Sequence, residues 1–162
     1  MCKRERLGVA LFLLLIGSPS QPVLSSVAEN VHATLIPGSG TYSRKISTEN
    51  PQAQAFFDQG LRFAWGFYFP ESIASYREAA RLDPSHPMPY WGMAHAMGPN
   101  PNSRYARMPD DPKGEGLKAI KNALARIDRA SPLEAELIQA LYVLYDRDAI
   151  EDQDERDRAY LA

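Results

Sequence analysis

Apolar residues of the central chain recur at intervals of three and four. Ala53, Phe56, Phe57, Gly60, Phe63 and Ala64 form one stripe over about four helical turns. Asn50 followed by Pro51 supplies a cap and a first-turn proline, so a helix is predicted over 51–67. Pro70 restarts the pattern, and Ile73, Tyr76, Ala79, Ala80 and Leu82 line the inner face of a second helix over 70–82, closed by Asp83-Pro84. Further helices are predicted over 87–97, 113–130 and 132–146. The last opens on Ser131-Pro132-Leu133-Glu134, a cap, a first-turn proline and a glutamate able to return the cap's hydrogen bond. The chain is therefore read as all-α. Residues 29–50 show no sustained period; Pro37, Gly38, Ser39 and Gly40 punctuate them, and Thr34–Ile36 reads as a short strand or as part of an extended lead.

Two short helices with a tight join cannot bury their stripes alone, so Phe56, Phe63 and Tyr76 are assigned to packing between helices. A step of 34 residues from Phe56, Gly60 and Phe63 reaches Tyr90, Ala94 and Met97, again aromatic or apolar around a small residue. The partner helix arrives late: Phe63 to Ser72 spans 9 positions and Met97 to Ile120 spans 23, an insertion of 14. That insertion, around PNSRYARMPDD, is expected to project from one edge of the stack. Leu137, Ala140, Leu141, Leu144 and Tyr145 form the stripe of the next helix. A charged run, DRDAIEDQDERDR, then leads into Ala159, Tyr160 and Leu161, which read as the start of another buried stripe continuing past Ala162.

These positions resemble the tetratricopeptide repeat. In residues 53–86 the resemblance rests on Phe56, Gly60, Phe63, Ser72, Tyr76, Ala79 and Pro84, with Gln59 where leucine is usual and Ser72 where alanine is usual. A second copy over 87–134 uses Tyr90, Met93, Ala94, Met97, Ile120, Leu124, Ile127 and Pro132; a partial third, over 135–162, begins with Ile138, Leu141, Tyr142 and Tyr145. The stretches AQAFFDQGLRFAWGF, SIASYREAARLDP and YWGMAHAMGPN are also similar to a group of exported, largely uncharacterised bacterial repeat proteins. The resemblance implies a right-handed stack of helical hairpins, an α-solenoid of the protein-binding kind.

The N-terminus adds a location. Lys3, Arg4 and Arg6 precede an apolar core from Leu7 to Ile16, then Gly17, Ser18 and Pro19, the order of a secretory signal peptide. Ser26 and Ala28 place small residues where a signal peptidase reads, so residues 1–28 are expected to be cleaved, with a retained anchor as the rival; export to the periplasm or the extracellular space follows. The one cysteine, Cys2, lies ahead of the apolar core, so no disulfide is available to the exported fold and helix packing must stabilise it. The formal charge of −2 becomes about −4 once the leader removes three cations and one acid, which gives no electrostatic pull toward nucleic acid.

Candidate chemistry is sparse. His32, His86 and His95 are the only histidines, without HExxH, CxxCH or a cysteine pair, so no metal site and no cofactor is expected. The GSG at 38–40 lacks a following lysine, and Ser131 is explained by capping. Binding-surface candidates are residues on first helices that point off the stripe, near the turn or in the insertion: Gln59, Arg62, Trp65, Gly66, His95, Arg104 and Tyr105. The function expected is a non-enzymatic scaffold for an unknown protein or peptide. The rival is the N-terminal repeat module of a larger enzyme, or a metal-binding repeat protein using His86 or His95.

Overall fold

The structure is a computed structural model, and it describes residues 32–98 and 109–162. The apolar stripes close into helical hairpins as the spacing predicts: α1 (Pro51–Trp65) with α2 (Phe69–Leu82), and α3 (Met88–Met97) with α4 (Pro112–Leu124), then α5 (Pro132–Tyr145) and α6 (Gln153–Leu161). Each helix packs on its neighbours in the chain, and the alternate helices α1, α3 and α5 also touch in turn. That is the contact pattern of an all-α hairpin stack. The leader falls outside the described residues, as do Arg104 and Tyr105. Among the described residues no helix is long and apolar enough to cross a membrane.

Capping sets the helix ends. Asn50 Oδ1 accepts the N–H groups of Gln52 and Ala53, while its Nδ2 donates to Leu82 O at the end of α2 (3.0 Å), so one side chain serves two helix termini. Asp111 and Asp152 accept from Gly114 N–H and Glu155 N–H at the starts of α4 and α6. Glu134 returns its bond to Ser131 N–H at 2.7 Å. α4 is shorter than the 113–130 predicted: it ends at Leu124, and Ile127 lies in a separate turn of 3₁₀ helix, Ile127–Arg129. There Arg126 donates to Asn122 O and to Pro84 O, satisfying a terminal carbonyl of α4 and tying it to the α2–α3 turn.

The core is organised around Tyr76. Its ring is fully buried and lies 5.5 Å from that of Phe57, centroid to centroid. Gly60 of α1 and Gly92 of α3 both face this ring: a Cβ at Gly60 would sit 2.7 Å from Tyr76 Cε1, and one at Gly92 would run into the same edge. Ser72 Oγ–H donates to Gly60 O (2.8 Å), so this serine fastens α2 to α1. A second tyrosine repeats the arrangement one hairpin on. Tyr145 of α5 donates to Ala94 O (2.6 Å) and fills the space left by Gly116 and Gly98. α3 is buried almost all round, leaving only Tyr90 and His95 half-exposed, as expected of a helix with neighbours on every side.

Several expectations need correction. Phe63 is half-exposed and packs edge-on against Tyr68, and Leu61 takes its place in the core. Tyr90 is also half-buried, with the Arg126 guanidinium 4.3 Å above its ring. In the tail Leu161 and Tyr160 are exposed on α6, and the buried side chain there is Arg156, which donates to Ile150 O and Glu151 O. Residues 32–50 are extended with no strand among them, and they pack along the helices as an integral strap.

Glycine in a helix interior costs up to about 1 kcal/mol relative to alanine, so Gly→Ala would stabilise an open site. At Gly92 the Tyr76 ring, backed by Gly60, has nowhere to retreat. Gly92→Ala is expected to destabilise the fold by about 1–3 kcal/mol, measured by urea unfolding, with Tyr76→Leu restoring much of the loss when combined with it.

Candidate functional site

Three regions gather polar or exposed aromatic side chains: the end of α1, the face of α1 under the lead, and the edge where α3 and α5 begin.

At the end of α1 the chain makes a Schellman turn. Phe67 N–H bonds to Ala64 O (3.1 Å) and Tyr68 N–H to Phe63 O (2.9 Å), with the Phe63 and Tyr68 rings in contact at 6.3 Å. The left-handed position of this motif is usually glycine, yet Gly66 stands one residue early and Phe67 adopts φ 63° instead. For an L-residue that conformation costs roughly 1–2 kcal/mol. The turn leaves Trp65 70%, Phe67 57% and Tyr68 62% exposed, while Phe69 turns inward to the core. Beside them a recess of about 440 Å³ is walled mainly by Tyr42, Arg62 and Trp65. Trp65 and Gly66 thus lie at an exposed rim, and Phe67 and Tyr68 join them.

Two other candidates on α1 are engaged by the chain itself. Gln59 was expected on the surface; it is 1% exposed, a correction with a clear cause. Its Oε1 accepts Ile36 N–H (2.7 Å), and its Nε2 donates to Thr34 O and Ser75 Oγ (both 3.0 Å). Arg62 donates to Tyr42 O (2.9 Å) and Ser39 Oγ. Gln54 and Asp58, which sequence reasoning passed over, complete the row: Gln54 grips Arg44 O and Ile46 N–H, and Asp58 accepts from Ser43 Oγ–H and Arg44 N–H. The signal for Gln59 was in the sequence. The repeat resemblance expects leucine at Gln59, and a carboxamide at a position expected to be buried must find partners there.

At the α3–α5 edge Ser47 meets His86 and Glu134, three residue types that invite a catalytic reading. Ser47 Oγ lies 3.0 Å from His86 Nε2 and 2.5 Å from Glu134 Oε2. The wiring is wrong for a nucleophile. His86 Nδ1 accepts Met88 N–H (3.2 Å), so in the neutral ring the proton is on Nε2 and points at the serine. The carboxylate bonds to the serine and to Ser47 N–H, not to the histidine, and nothing is placed to take the serine proton toward imidazole. The cluster is a clasp tying the lead to α5. Next to it a polar recess of about 920 Å³ is lined by Thr48, Asn50, Asp83, His86 and Arg129 among others.

His95 is half-buried on α3 and stacks on Trp91, rings 5.1 Å apart and 16° from parallel, and its Nδ1 has no hydrogen-bond partner among the described residues. Among the described residues no group of three or more His, Cys, Asp or Glu is placed to hold a metal ion, and neither His86 nor His95 belongs to one. No family model, no curated protein and no solved structure matches this chain.

Burial pushes the pKa of both His86 and His95 below the ordinary histidine value. At Glu134 burial acts to raise the pKa, but the bonds from Ser47 and Ser131 outweigh it and hold the carboxyl low. Asp83 is likewise held low by Thr48 and Ser85 against its burial. In every case the unfolded chain binds the proton more readily, so stability rises with pH. Losses begin as pH falls below about 6.5 through the histidines and resume below about 4.5 through the carboxylates. The thermal midpoint is expected to fall between pH 7.5 and 5.0, less so in a His95→Phe chain, and Glu134→Gln should flatten the portion below about pH 4.5.

Proposed function

We propose that this protein is an exported, non-enzymatic binding module of the tetratricopeptide type, a right-handed stack of helical hairpins that captures a protein or peptide outside the cytoplasm. The observation that carries the reading is the aromatic rim at the end of α1. Trp65, Phe67 and Tyr68 are large, rigid and exposed, and the middle one occupies a strained backbone position that glycine would take at no cost. Within the isolated fold the strain at Phe67 is offset only by an edge-on contact with Phe69, rings 6.2 Å apart, and most of the ring stays exposed. A partner that buries these rings offsets the remainder, because aromatic side chains lose little conformational freedom on contact and bury much area. The hairpin stack supplies the rigid support such anchors require, and the leader's order of charge, apolar core and small residues supports export.

Phe67→Gly should therefore leave the isolated protein within about 1 kcal/mol of wild-type stability, the strain relieved offsetting the lost Phe69 contact, and weaken binding. With the chain immobilised and exposed to periplasmic extract, Phe67→Gly and Trp65→Ala are each expected to cut retention of the partner about tenfold or more. Arg77→Glu, an exposed change on α2 away from the rim, should leave it unaltered. Equal retention by all three variants overturns the reading.

A further inference from the structure

We infer that α1 carries a reading surface for extended peptide backbone, that the lead occupies this surface in cis, and that an extended segment of a partner protein takes the lead's place. The inference rests on the binding function proposed above and gives it a site and a partner chemistry.

Gln54 and Gln59 grip the lead in the same way. Each carboxamide accepts the N–H of one lead residue and donates to the carbonyl two residues earlier: Ile46 N–H and Arg44 O at 2.9 Å each for Gln54, Ile36 N–H and Thr34 O at 2.7 and 3.0 Å for Gln59. Those two groups flank one residue and point to the same side, as they do toward a parallel strand, so the carboxamide stands in for the peptide unit of a neighbouring strand. Asp58 adds an acceptor for Arg44 N–H, and Arg62 a donor to Tyr42 O. Almost everything α1 reads is main chain, which every sequence possesses. Side-chain information enters at Ile46, 2% exposed in the core, at the Ser43 hydroxyl on Asp58 (2.7 Å), and through a weaker bond from Arg62 to Ser39. Leu35, Ile36 and Tyr42 project outward.

The surface also resists being empty. With the lead removed, the Gln59 carboxamide keeps only its bond to Ser75 and loses two others, and the Ile46 side chain leaves the core. Asp58 likewise loses two of its donors. Exchange of one occupant for another avoids that cost, whereas simple opening does not. The partner is therefore an extended segment with a branched aliphatic anchor and a hydroxyl three residues before it. The tethered lead competes at an effective concentration of about millimolar.

The test uses the full chain bearing Ile46→Asp, which removes the anchor of the lead in cis, and two fluorescent peptides. One has the sequence of residues 32–46, ending before the Ser47 clasp; the other keeps only the isoleucine and the serine three residues before it in an otherwise unrelated sequence. Both are expected to bind the Ile46→Asp chain within about tenfold of each other and neither to bind wild type comparably. Adding Gln54→Ala with Gln59→Ala should weaken both at least tenfold. Binding by the native sequence alone would make the surface a private latch and overturn the proposal, as would no binding by a chain whose helical circular dichroism is intact. If Ile46→Asp abolishes that signal, hydrogen exchange on wild type decides. The Ile36 and Ile46 amides should exchange at least about a hundredfold faster than buried α2 amides, and equal rates would mean a lead that never leaves. Should the peptides fail while Trp65→Ala still loses its partner, the rim reading stands and only the α1 surface is lost.

Discussion

The rest of the fold depends on one aromatic ring having room. Tyr76 occupies the junction of three helices, and it fits because α1 and α3 each present a glycine to it, Gly60 from one side and Gly92 from the other. The glycines give up helix propensity; the return is a ring buried on both faces and a fixed spacing between alternate helices. Once that spacing is set, Ser72 can reach Gly60 O, and α3 can lie with neighbours on every side. Tyr145 against Gly116 shows the same solution used again, with the difference that its hydroxyl finds Ala94 O whereas the Tyr76 hydroxyl has no hydrogen-bond partner among the described residues.

What was legible in the sequence was whatever repeats. The stripes of α1 and α2, the caps at Asn50 and Ser131, and the small residue at Gly60 all follow from spacing and backbone chemistry, and the structure places them as spacing requires. Gly92 escaped because it is two residues away from the position that a step of 34 selects, Ala94; the contact it makes runs to the preceding hairpin and leaves no period behind. Phe67 escaped for a related reason. A left-handed residue is sought at glycine, and a glycine stood next door.

The lead was least legible, and its physics explains why. Its hold on α1 is made by side chains of the helix on main chain of the lead, so the lead's own sequence carries no pattern beyond Ile46. Gln59 and Arg62, predicted as open surface, had the right chemistry for recognition and the wrong vacancy. A polar side chain facing off an apolar stripe is read as solvated unless a partner is known, and here the partner is a segment that periodicity could not place. Ser47, His86 and Glu134 show the reverse hazard: three residue types familiar from hydrolases, whose donors and acceptors are arranged to join two parts of a chain.

That junction alters what kind of object the stack is. An array in which each hairpin touches only the next behaves as a one-dimensional chain of units, able to form in order as it is made. Ser47 and Glu134 are bonded across 87 positions of sequence, and the Trp91 indole Nε1–H reaches Leu137 O across 46. The lead thus cannot complete its bonds until the start of α5 is in place, and long-range closure of this sort slows folding relative to a purely local array. The strap makes α1 and α5 answer to each other, so that fraying at either end of these helices is felt at the other.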